Sequence, residues 1–501
     1  MMYETPAIIL AVVAILAYGI DSLFGHFDDP REPRRIAPLI RVPVIGHILG
    51  VLRYGFNYYG LLSQKTNVEI YALGVLNFKV YIARGDRLRH LVQKSKTLSF
   101  TPFLKVPSDV VSRDAHDLFD GALLESFSLR TKEALSPGPH LDMQNLRMGQ
   151  QLLTHVNDMV LEGEINLFSW AKHAIVQATG AGLYGAKHPF RDCEVEKALW
   201  VWEEHRPGQM LGIDPLYRGY RARAKVFEAF RQYFQQIPDD ASFFIRQRQK
   251  ILRDGGIPEE DIYKMQATLS NAAFPNTVPT LFWTIFEIYT RPDLLEDIRR
   301  ELYEKAVNHF DDGAGFVLNI AALQTECTLL LSAYQETQRT RHSQVAWRMV
   351  TEDTVFDQYI LKKGNYLQMP VRSTHESHEI WGPQAHVFNP YRFTPPTQGN
   401  AKSRIVPSSF LAWGSPPHLC PARQFASTEI LIAAALMILR VQLTPVNSQG
   451  WGKEPAVRSG TPTLPRPKED IRVRVTPRIT GKKKWNVVIG TSKARISLAS
   501  G

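Results

Sequence analysis

The stretch FLAWGSPPHLCPARQFASTEI (Phe410 to Ile430) places Cys420 among prolines, directly ahead of an apolar segment. Two prolines stiffen the chain before the cysteine, and after Pro421 neither proline nor glycine occurs until Pro445. This pattern predicts a helix whose first position is Pro421, because proline needs no backbone N–H partner there. Cys420 would then lie at the N-cap, where free N–H groups and the helix dipole stabilise a thiolate.

A cysteine in such a turn has three common uses. As a thiolate it can be a nucleophile, for which His418 is the nearest candidate base. It can also be a soft metal ligand. The commonest fate of a single cysteine is burial as a small hydrophobic residue. The residues around Cys420 alone do not decide among these uses.

Size and charge limit the classes of partner. The chain has 501 residues, 44% of them hydrophobic, so it can bury a large core. Its net charge of +10 suits an anionic partner. The basic residues are scattered and no nucleic-acid-binding motif occurs. We therefore expect a membrane surface or an acidic protein as the partner, and no nucleic acid.

The cysteines and histidines suggest neither a disulfide framework nor a zinc site. Three cysteines in a chain of this length favour a reducing compartment. No CxxC pair occurs, which makes a cysteine zinc site unexpected. His375 and His378 are three residues apart, which is not the HExxH spacing of a metalloprotease helix. We interpret both as loop histidines.

The N-terminal segment has the features of a signal-anchor. Residues 5–20 carry no charge and are mostly apolar. No basic segment precedes them, as a cleavable signal peptide would require. Four arginines follow, so the positive-inside rule places the rest of the chain in the cytosol: Arg31, Arg34, Arg35 and Arg41. We predict a single membrane span within residues 1–27 and one domain from residue 28 to residue 501.

The predicted domain is mainly α-helical with small β-sheets. Closely spaced prolines at residues 28–46 predict a stiff extended strap. Alternating apolar residues at 68–83 predict a β-hairpin. Residues 115–345 have a mainly helical pattern, and short strand-like segments follow at 354–370 and 470–478. No repeat, low-complexity segment or linker divides this region.

The segment WGSPPHLCPAR resembles the haem-binding loop of the cytochrome P450 superfamily, in which a cysteine thiolate is the axial iron ligand. That loop has an aromatic residue seven positions before the cysteine, a glycine six before and a basic residue two before. Trp413, Gly414 and His418 occupy these positions, and Arg423 follows. The resemblance implies that Cys420 ligates haem iron and that Trp413, His418 and Arg423 lie against the haem.

The chain departs from the family pattern at two positions of this loop. Pro416 and Ala422 stand where the family usually has glycine. Alanine is a mild change wherever φ is negative. Pro416 alters the path of the loop and is therefore the larger departure.

Further segments agree with the family in their order along the chain. YQETQRT contains Glu336 and Arg339 as the ExxR pair, and FNPYRF contains Arg392. The resemblance implies that these three residues form a buried ion network. Arg348, in RMVTED, matches a position that often binds a haem propionate. The resemblance covers nearly the whole chain.

The ExxR spacing is not specific by itself. It also begins at five other glutamates: Glu32, Glu203, Glu228, Glu296 and Glu469. We interpret these five as surface ion pairs one helical turn apart, each worth about a few tenths of a kcal/mol. Its order relative to Arg392 and Cys420 distinguishes Glu336 from them.

The segment NAAFPNTVPTLFWTIFEIYTRPD (Asn271 to Asp293) predicts a long apolar helix that opens at Pro275 and Pro279. Asn276 and Thr277 fall in this opening, where they could face a ligand or only satisfy freed carbonyls. In the family this helix crosses the distal haem face with an acid–alcohol pair that delivers protons to dioxygen. Here Asn276 stands in the acid's place before Thr277. The run NTVPTLFW is similar to the branch of sterol 7α- and 12α-hydroxylases and prostacyclin synthase.

The resemblance implies a membrane-bound haem-thiolate monooxygenase. Its substrate would be a lipophilic small molecule, such as a terpenoid, a sterol or another secondary metabolite, which it hydroxylates, epoxidises or couples. Electrons would come from NADPH-cytochrome P450 reductase, with cytochrome b5 as a further partner. The implied location is the endoplasmic reticulum membrane, with the catalytic domain facing the cytosol.

Two alternatives are left open by the departures from the family pattern. Asn276, in the acid's place, is compatible with a haem-thiolate isomerase or dehydratase that acts on a peroxide without external electrons. Pro416 and Ala422 are compatible with a non-catalytic haem-binding homologue.

Overall fold

The computed structural model describes residues 25–500 apart from short gaps, and only residues 18, 19 and 23 before them. The gaps are 56, 67, 106–108, 210–211, 311–314, 396–406, 417, 448–449, 453, 458–463 and 492. The predicted signal-anchor at residues 1–27 therefore lies for the most part outside the described residues. Within the described part, none of the helices is both long and apolar enough to span a bilayer.

Helices dominate the described residues, as the sequence predicted. The first nine are α1 (Gly46–Tyr54), α2 (Asn57–Lys65), α3 (Asp86–Lys94), α4 (Arg113–Leu118), α5 (Gly121–Ala134), α6 (Pro139–Glu162), α7 (Leu167–Tyr184), α8 (Cys193–Gln209) and α9 (Arg218–Gln235). The next are α10 (Phe243–Asp254), α11 (Glu259–Ala267), α12 (Ser270–Tyr289), α13 (Pro292–Lys305), α14 (Ile320–Thr325), α15 (Thr328–Arg341), α16 (Val371–His375), α17 (His378–Trp381) and α18 (Arg423–Arg440).

The strands are short and form small sheets. They are β1 (Ile70–Val75), β2 (Phe78–Ala83), β3 (Leu98–Ser99), β4 (Glu164–Asn166), β5 (Val307–His309), β6 (Gly315–Asn319), β7 (Val345–Val350), β8 (Thr354–Phe356), β9 (Tyr359–Leu361), β10 (Tyr366–Pro370), β11 (Gly414–Ser415), β12 (His418–Leu419), β13 (Val441–Pro445), β14 (Arg472–Pro477) and β15 (Lys484–Val488). The five-stranded sheet has the order β1-β2-β10-β7-β3, and the three-stranded sheets are β13-β14-β4 and β15-β6-β5. The hairpin predicted at 68–83 is confirmed, because β1 and β2 pair antiparallel from Ile70–Ala83 to Val75–Phe78.

Two helices, α12 and α18, lie at the centre of the core. Of the 18 residues of α18, 16 are buried, and of the 20 residues of α12, 16 are buried. A helix that is apolar on all sides is stable only when other elements surround it. The Tyr289 hydroxyl at the end of α12 joins the two by donating to the Met437 and Val441 carbonyls at 3.1 and 3.0 Å. Both the Cys420 turn and Thr277 are thereby attached to the most buried part of the molecule.

The proline strap is joined to the first sheet. The backbone N–H of Ile36 donates to the Ala72 carbonyl at 3.1 Å, beside β1. The Glu32 carboxylate is buried and accepts the Lys79 ammonium at 2.7 Å and the Tyr81 hydroxyl at 2.6 Å, both from β2. The strap is therefore held to the folded body by backbone pairing and by a buried ion pair.

Candidate functional site

Cys420 follows the two-stranded hairpin of β11 and β12. The hairpin turn contains Pro416, so this proline lies where no ladder hydrogen bond is needed. Gly414 has a φ of 92°, a backbone conformation that side chains other than glycine rarely adopt. The backbone N–H of Cys420 donates to the Trp413 carbonyl at 2.9 Å and closes the base of the hairpin. The loop thus presents Cys420 on a fixed backbone despite the departure at Pro416.

The helix after the cysteine begins two positions later than the sequence predicted. α18 starts at Arg423 and Ala422 is its N-cap, so Pro421 lies in the preceding turn and Cys420 is not the N-cap. Burial raises the pKa of the Cys420 thiol more than the Ala422 N–H and the Arg423 guanidinium lower it. The expected stabilisation of a thiolate by an N-cap position at Cys420 is therefore wrong.

A buried cation lies beside the hairpin. Arg348 on β7 is 3% exposed and donates to the carbonyls of Trp347 at 2.7 Å and Ser415 at 3.2 Å. Burial lowers the pKa of Arg348 to about 10, and no carboxylate among the described residues pairs with it. Burial and the nearby Arg348 also lower the pKa of His418. An anionic group at this place would relieve an uncompensated positive charge.

Glu336, Arg339 and Arg392 form one buried network. Glu336 and Arg339 on α15 have fully buried side chains joined at 2.7 and 2.8 Å. Arg392 donates its Nε to both Glu336 oxygens at 3.1 Å, and the backbone N–H of Asn389 donates to Oε1 at 2.9 Å. Each carboxylate oxygen therefore has a charged partner, which a buried ion requires.

The network reaches the segment ahead of Cys420 through His375. Arg339 donates to the His375 carbonyl at 2.5 Å, and the His375 imidazole bonds to the Arg339 carbonyl at 3.0 Å and to the Leu411 N–H at 2.9 Å. The His375 side chain is fully buried. The interpretation of His375 and His378 as loop histidines is therefore wrong. His375 is the last residue of α16 and joins the end of α15 to the segment before Trp413, and His378 is the first residue of α17.

The other ExxR glutamates have different environments. Glu228 and Arg231 form the predicted surface pair, with side chains 47% and 43% exposed. Glu296 is exposed and pairs with Arg299, although Arg299 itself is buried. Glu469 is exposed, and the arginine three residues later pairs with Glu164 instead.

For Glu32 and Glu203 the interpretation as surface pairs is wrong. Both side chains are 4% exposed. Glu32 pairs with Lys79 at 2.7 Å, and Glu203 pairs with Arg466 at 2.7 Å. Neither pairs with the arginine three residues later. The partners of these two buried carboxylates are distant in the sequence, so they cannot be predicted from an i,i+3 spacing.

The predicted opening of the distal helix is absent, because α12 is continuous through both of its prolines. The hydroxyl of Thr277 donates to the Ala273 carbonyl at 2.7 Å, and that of Thr280 donates to the Asn276 carbonyl at 2.6 Å. Both prolines are buried, so packing against neighbouring helices outweighs the two backbone hydrogen bonds that they remove. Thr277 is buried and Asn276 half-buried, so the two residues lie on different parts of the helix surface.

Comparison with known proteins identifies the family. The Cytochrome P450 family model matches residues 223–466. The cytochrome P450 monooxygenase nodJ of Hypoxylon pulicicidum is 30% identical over 513 aligned residues, which cover 99% of each chain. This protein belongs to the cytochrome P450 family. The retinoic acid-bound cyanobacterial P450 CYP120A1 has the same fold, with a TM-score of 0.68 at 16% identity over 89% of this chain and all of that chain.

A more distant relative supports the likeness seen in α12. The human 7-alpha-hydroxycholest-4-en-3-one 12-alpha-hydroxylase is 25% identical over 58% of this chain and 60% of its own. The resemblance to the branch of sterol hydroxylases is therefore confirmed. As a P450 monooxygenase the protein binds a cysteine-ligated haem, accepts electrons from a redox partner and oxidises a small molecule.

The donors around the loop fit the haem of a P450. Haem carries two carboxylates, and Arg348 offers a buried guanidinium without an ion partner among the described residues. The indole Nε1 of Trp413 is buried and has no hydrogen-bond partner in the described part of the chain. The rings of His418 and Phe100 are tilted by 40° with their centroids 5.6 Å apart, and the Phe100 ring centroid lies 5.8 Å from the Arg348 guanidinium. A flat dianion next to this cluster would use both the unpaired cation and the orphaned indole N–H.

Sequence reasoning missed two further residues that support the Cys420 loop of this P450 from outside it. The Tyr334 hydroxyl, fully buried on α15, lies 3.0 Å from the Ser427 hydroxyl on α18, near Cys420. Gln344 donates its amide to the Leu411 carbonyl at 2.9 Å. Tyr334 lies two residues before Glu336, which is the one local signal that could have drawn attention to it.

Proposed function

We propose that Cys420 supplies the axial thiolate of the haem in a membrane-bound monooxygenase that oxidises a lipophilic small molecule. The observation that carries this proposal is the turn at Cys420, held by a fully buried ion network and flanked by Arg348, a buried cation without an ion partner in the described chain. Cys193 is exposed, and Cys327 is buried with its pKa raised to about 12 by burial. Neither has this combination of a hairpin, a nearby cation and an orphaned N–H donor.

The distal helix would orient the reactants. Haem, when bound, supplies the activation of O2 and the transfer of one oxygen atom. Thr277 carries a buried hydroxyl that donates to Ala273, and this hydroxyl can rotate to exchange a proton with a neighbouring group. Asn276 carries an amide, which can hold a water molecule but cannot relay a proton as a carboxylate does. We therefore assign proton delivery to Thr277 and the placement of water to Asn276.

A lipophilic substrate and a membrane location agree with the surface near the strap. Ile45, Ile48 and Leu52, in and just before α1, are exposed at 40–57%. Leu76 and Phe78 at the β1–β2 turn are also exposed. Apolar side chains concentrated on such a surface favour contact with lipid. The location that we propose is the endoplasmic reticulum membrane, with residues 1–27 as its anchor.

The electron donor that we propose is NADPH-cytochrome P450 reductase, with cytochrome b5 as a further partner. A net charge of +10 favours an acidic protein partner. Arg423 follows Cys420 closely, and burial together with the nearby, exposed Arg495 lowers the pKa of Arg423. Two cations beside the thiolate loop would attract such a partner at low ionic strength.

The test is spectroscopic and uses membranes that contain this protein and a reductase. The reduced, CO-bound protein should show the red-shifted Soret band of thiolate ligation. Cys420→Ser should abolish this band, whereas Cys193→Ser, at an exposed cysteine, should leave it unchanged. A normal band in Cys420→Ser would refute the assignment. NADPH consumption that depends on an added lipophilic compound would then identify the substrate class.

A further inference from the structure

The chain continues beyond the sheet β13-β14-β4 and returns to the Cys420 loop. After β14, strand β15 pairs in parallel with β6 from Lys484–Gly315 to Val488–Asn319. Residues 493–500, which we call the return segment, follow without regular secondary structure and begin and end in turns. Its even-numbered residues Ile496, Leu498 and Ser500 are buried. These three buried side chains anchor the segment in the protein interior.

Side-chain amides bind the backbone of the return segment. Gln424 on α18 donates Nε2 to the Ile496 carbonyl at 3.0 Å and accepts the Ile496 N–H at Oε1 at 2.9 Å. Gln335 on α15 accepts the Ala499 N–H at 2.5 Å. Both glutamines are buried, at 5% and 2% exposure. The backbone of the return segment thus supplies hydrogen-bond partners to two buried side-chain amides.

The apolar contacts point to the same place. Ile496 and Leu498 belong to the main core cluster that includes Phe425 of α18. Ala499 packs against the smaller cluster that contains Phe410 and Ala412, immediately before Trp413. The return segment therefore contacts the chain on both sides of Cys420.

The two glutamines that bind the return segment are close in the sequence to Cys420 and to the residues that support its loop. Gln424 lies four residues after Cys420, in the first turn of α18. Gln335 lies between Tyr334, which contacts Ser427 of α18, and Glu336 of the buried ion network. One short segment thus joins α15, the start of α18 and the loop.

We propose that the return segment is a cap that positions the Cys420 turn. This inference rests on the proposed role of Cys420 as the haem ligand. Without the cap, the buried amides of Gln424 and Gln335 would lose their partners and Phe410 would lose part of its cover. The turn would then be less firmly held, and a shift of the turn moves the sulfur away from the position in which it can ligate the iron. The return segment would therefore set the fraction of haem that is thiolate-ligated.

The test compares thiolate ligation with stability in haem-loaded protein. Gln424→Leu keeps the volume and removes both hydrogen bonds to Ile496. We expect the equilibrium fraction of the blue-shifted, thiol-type CO band to rise about five- to tenfold, the effect of losing one or two buried hydrogen bonds. A variant that lacks residues 495–501 should show a larger change. Ser497→Ala, at an exposed position of the same segment, should show none.

A destabilised control separates positioning from general loss of stability. Val487 on β15 is 1% exposed, and Val487→Ala should lower the thermal midpoint without disturbing Gln424. A thiol-type fraction in Gln424→Leu no greater than in Val487→Ala would refute the cap. Absence of a thiolate band in the unmodified protein would instead refute the role of Cys420. If the shortened protein does not fold, the comparison of Gln424→Leu with Val487→Ala still decides.

Discussion

His375 and Leu411 are joined by a hydrogen bond of 2.9 Å from the Leu411 backbone N–H to the imidazole Nε2. The other ring nitrogen, Nδ1, lies 3.0 Å from the Arg339 carbonyl and must donate to it. These two bonds require the neutral tautomer with its proton on Nδ1. Burial and the nearby His342 and Arg339 hold the pKa of His375 well below its usual value. A neutral histidine therefore connects the ion network to the haem loop.

Replacing His375 should destabilise the loop. His375→Ala leaves a buried N–H and a buried carbonyl without partners, at about 1–3 kcal/mol each. We expect a lower thermal midpoint and a clear reduction in bound haem per protein. His378→Ala, at an exposed histidine three residues later, is the matched control and should change neither quantity. Equal haem contents in the two variants would contradict this role of His375.

Stability should fall in mild acid because the protein buries neutral histidines. Burial lowers the pKa of His342 to about 3, far below its ordinary value of 6.5. Below about pH 6.5 the unfolded chain binds a proton at such a histidine and the folded chain does not, so stability decreases as pH falls. The slope is about 1.4 kcal/mol per pH unit for each such histidine. The thermal midpoint of the protein should decline from pH 7.5 down to pH 5.5, and the midpoint of the His342→Leu variant should decline less steeply.

Removing Glu336 should prevent accumulation of the haem-loaded protein. Glu336→Ala leaves the buried guanidinium of Arg339 without a counter-ion, which costs on the order of 3–5 kcal/mol. This is a large share of a typical domain stability of roughly 5–15 kcal/mol. The measurement is the yield of folded haem protein after expression, compared across Glu336→Ala, Glu203→Ala and Glu228→Ala.

The two comparison variants show how the loss of folded haem protein depends on the burial of the ion pair that is broken. Glu228→Ala, at an exposed pair, should be nearly silent. Glu203→Ala breaks a largely buried pair with Arg466 and should lower stability while haem still binds normally. A similar loss of haem in all three variants would mean that the ExxR pair of α15 has no special role.

The distal residues should determine how electrons are used. If Thr277 delivers protons, Thr277→Ala should uncouple the cycle, so that NADPH is consumed, hydrogen peroxide is released and product falls. Asn276→Ala should then have a smaller effect, because Asn276 is only half-buried and its proposed role is to place water rather than to deliver the proton. The ratio of product to NADPH in reductase-containing membranes measures this coupling. Turnover without electrons that survives Thr277→Ala and collapses in Asn276→Ala would indicate the isomerase chemistry instead.

Deleting residues 1–27 should release the protein partly from membranes and preserve haem binding. The deletion keeps Asp28 and Glu32, both of which pair with the buried Lys79. Extending the deletion to residue 37 removes both carboxylates and leaves Lys79 unpaired, so this longer deletion should lose haem-loaded protein as well. Sedimentation after carbonate and salt washes, together with the CO spectrum, measures both outcomes. Complete retention of the shorter variant in the membrane would contradict the anchor.

Local motifs predicted the elements of this P450 better than they predicted its long-range contacts. The order of Glu336, Arg392 and Cys420, with the Trp413–Gly414 pair, was sufficient to identify the family, whereas the β11–β12 hairpin before Cys420 was not predicted. The predicted start of α18 at Pro421 was wrong by two residues, because the turn that presents Cys420 extends through Pro421 and Ala422. Helix boundaries depend on such turns, and a single sequence specifies them weakly.

The contacts that were missed join residues far apart in the chain. Glu203 pairs with Arg466, and Gln335 binds the backbone of Ala499. Neither partner can be recognised from spacing, since each contact exists only after helices, sheets and loops have packed. The same reason explains why the role of His375 was missed. The sequence predicted a loop residue, whereas in the structure its buried imidazole joins the Arg339 carbonyl to the Leu411 N–H.

The order of the five-stranded sheet has a consequence for synthesis of the chain. Strand β10 lies between β2 and β7, and Lys79 next to this pairing bonds Asn365, 286 residues later. At about 5–20 residues per second, the ribosome takes roughly 15–60 s to produce β10 after β2. During that interval β2 exposes an unpaired edge to other nascent chains. Slower translation or scarce holding chaperones should therefore lower the yield of this protein more than loss of any single surface ion pair.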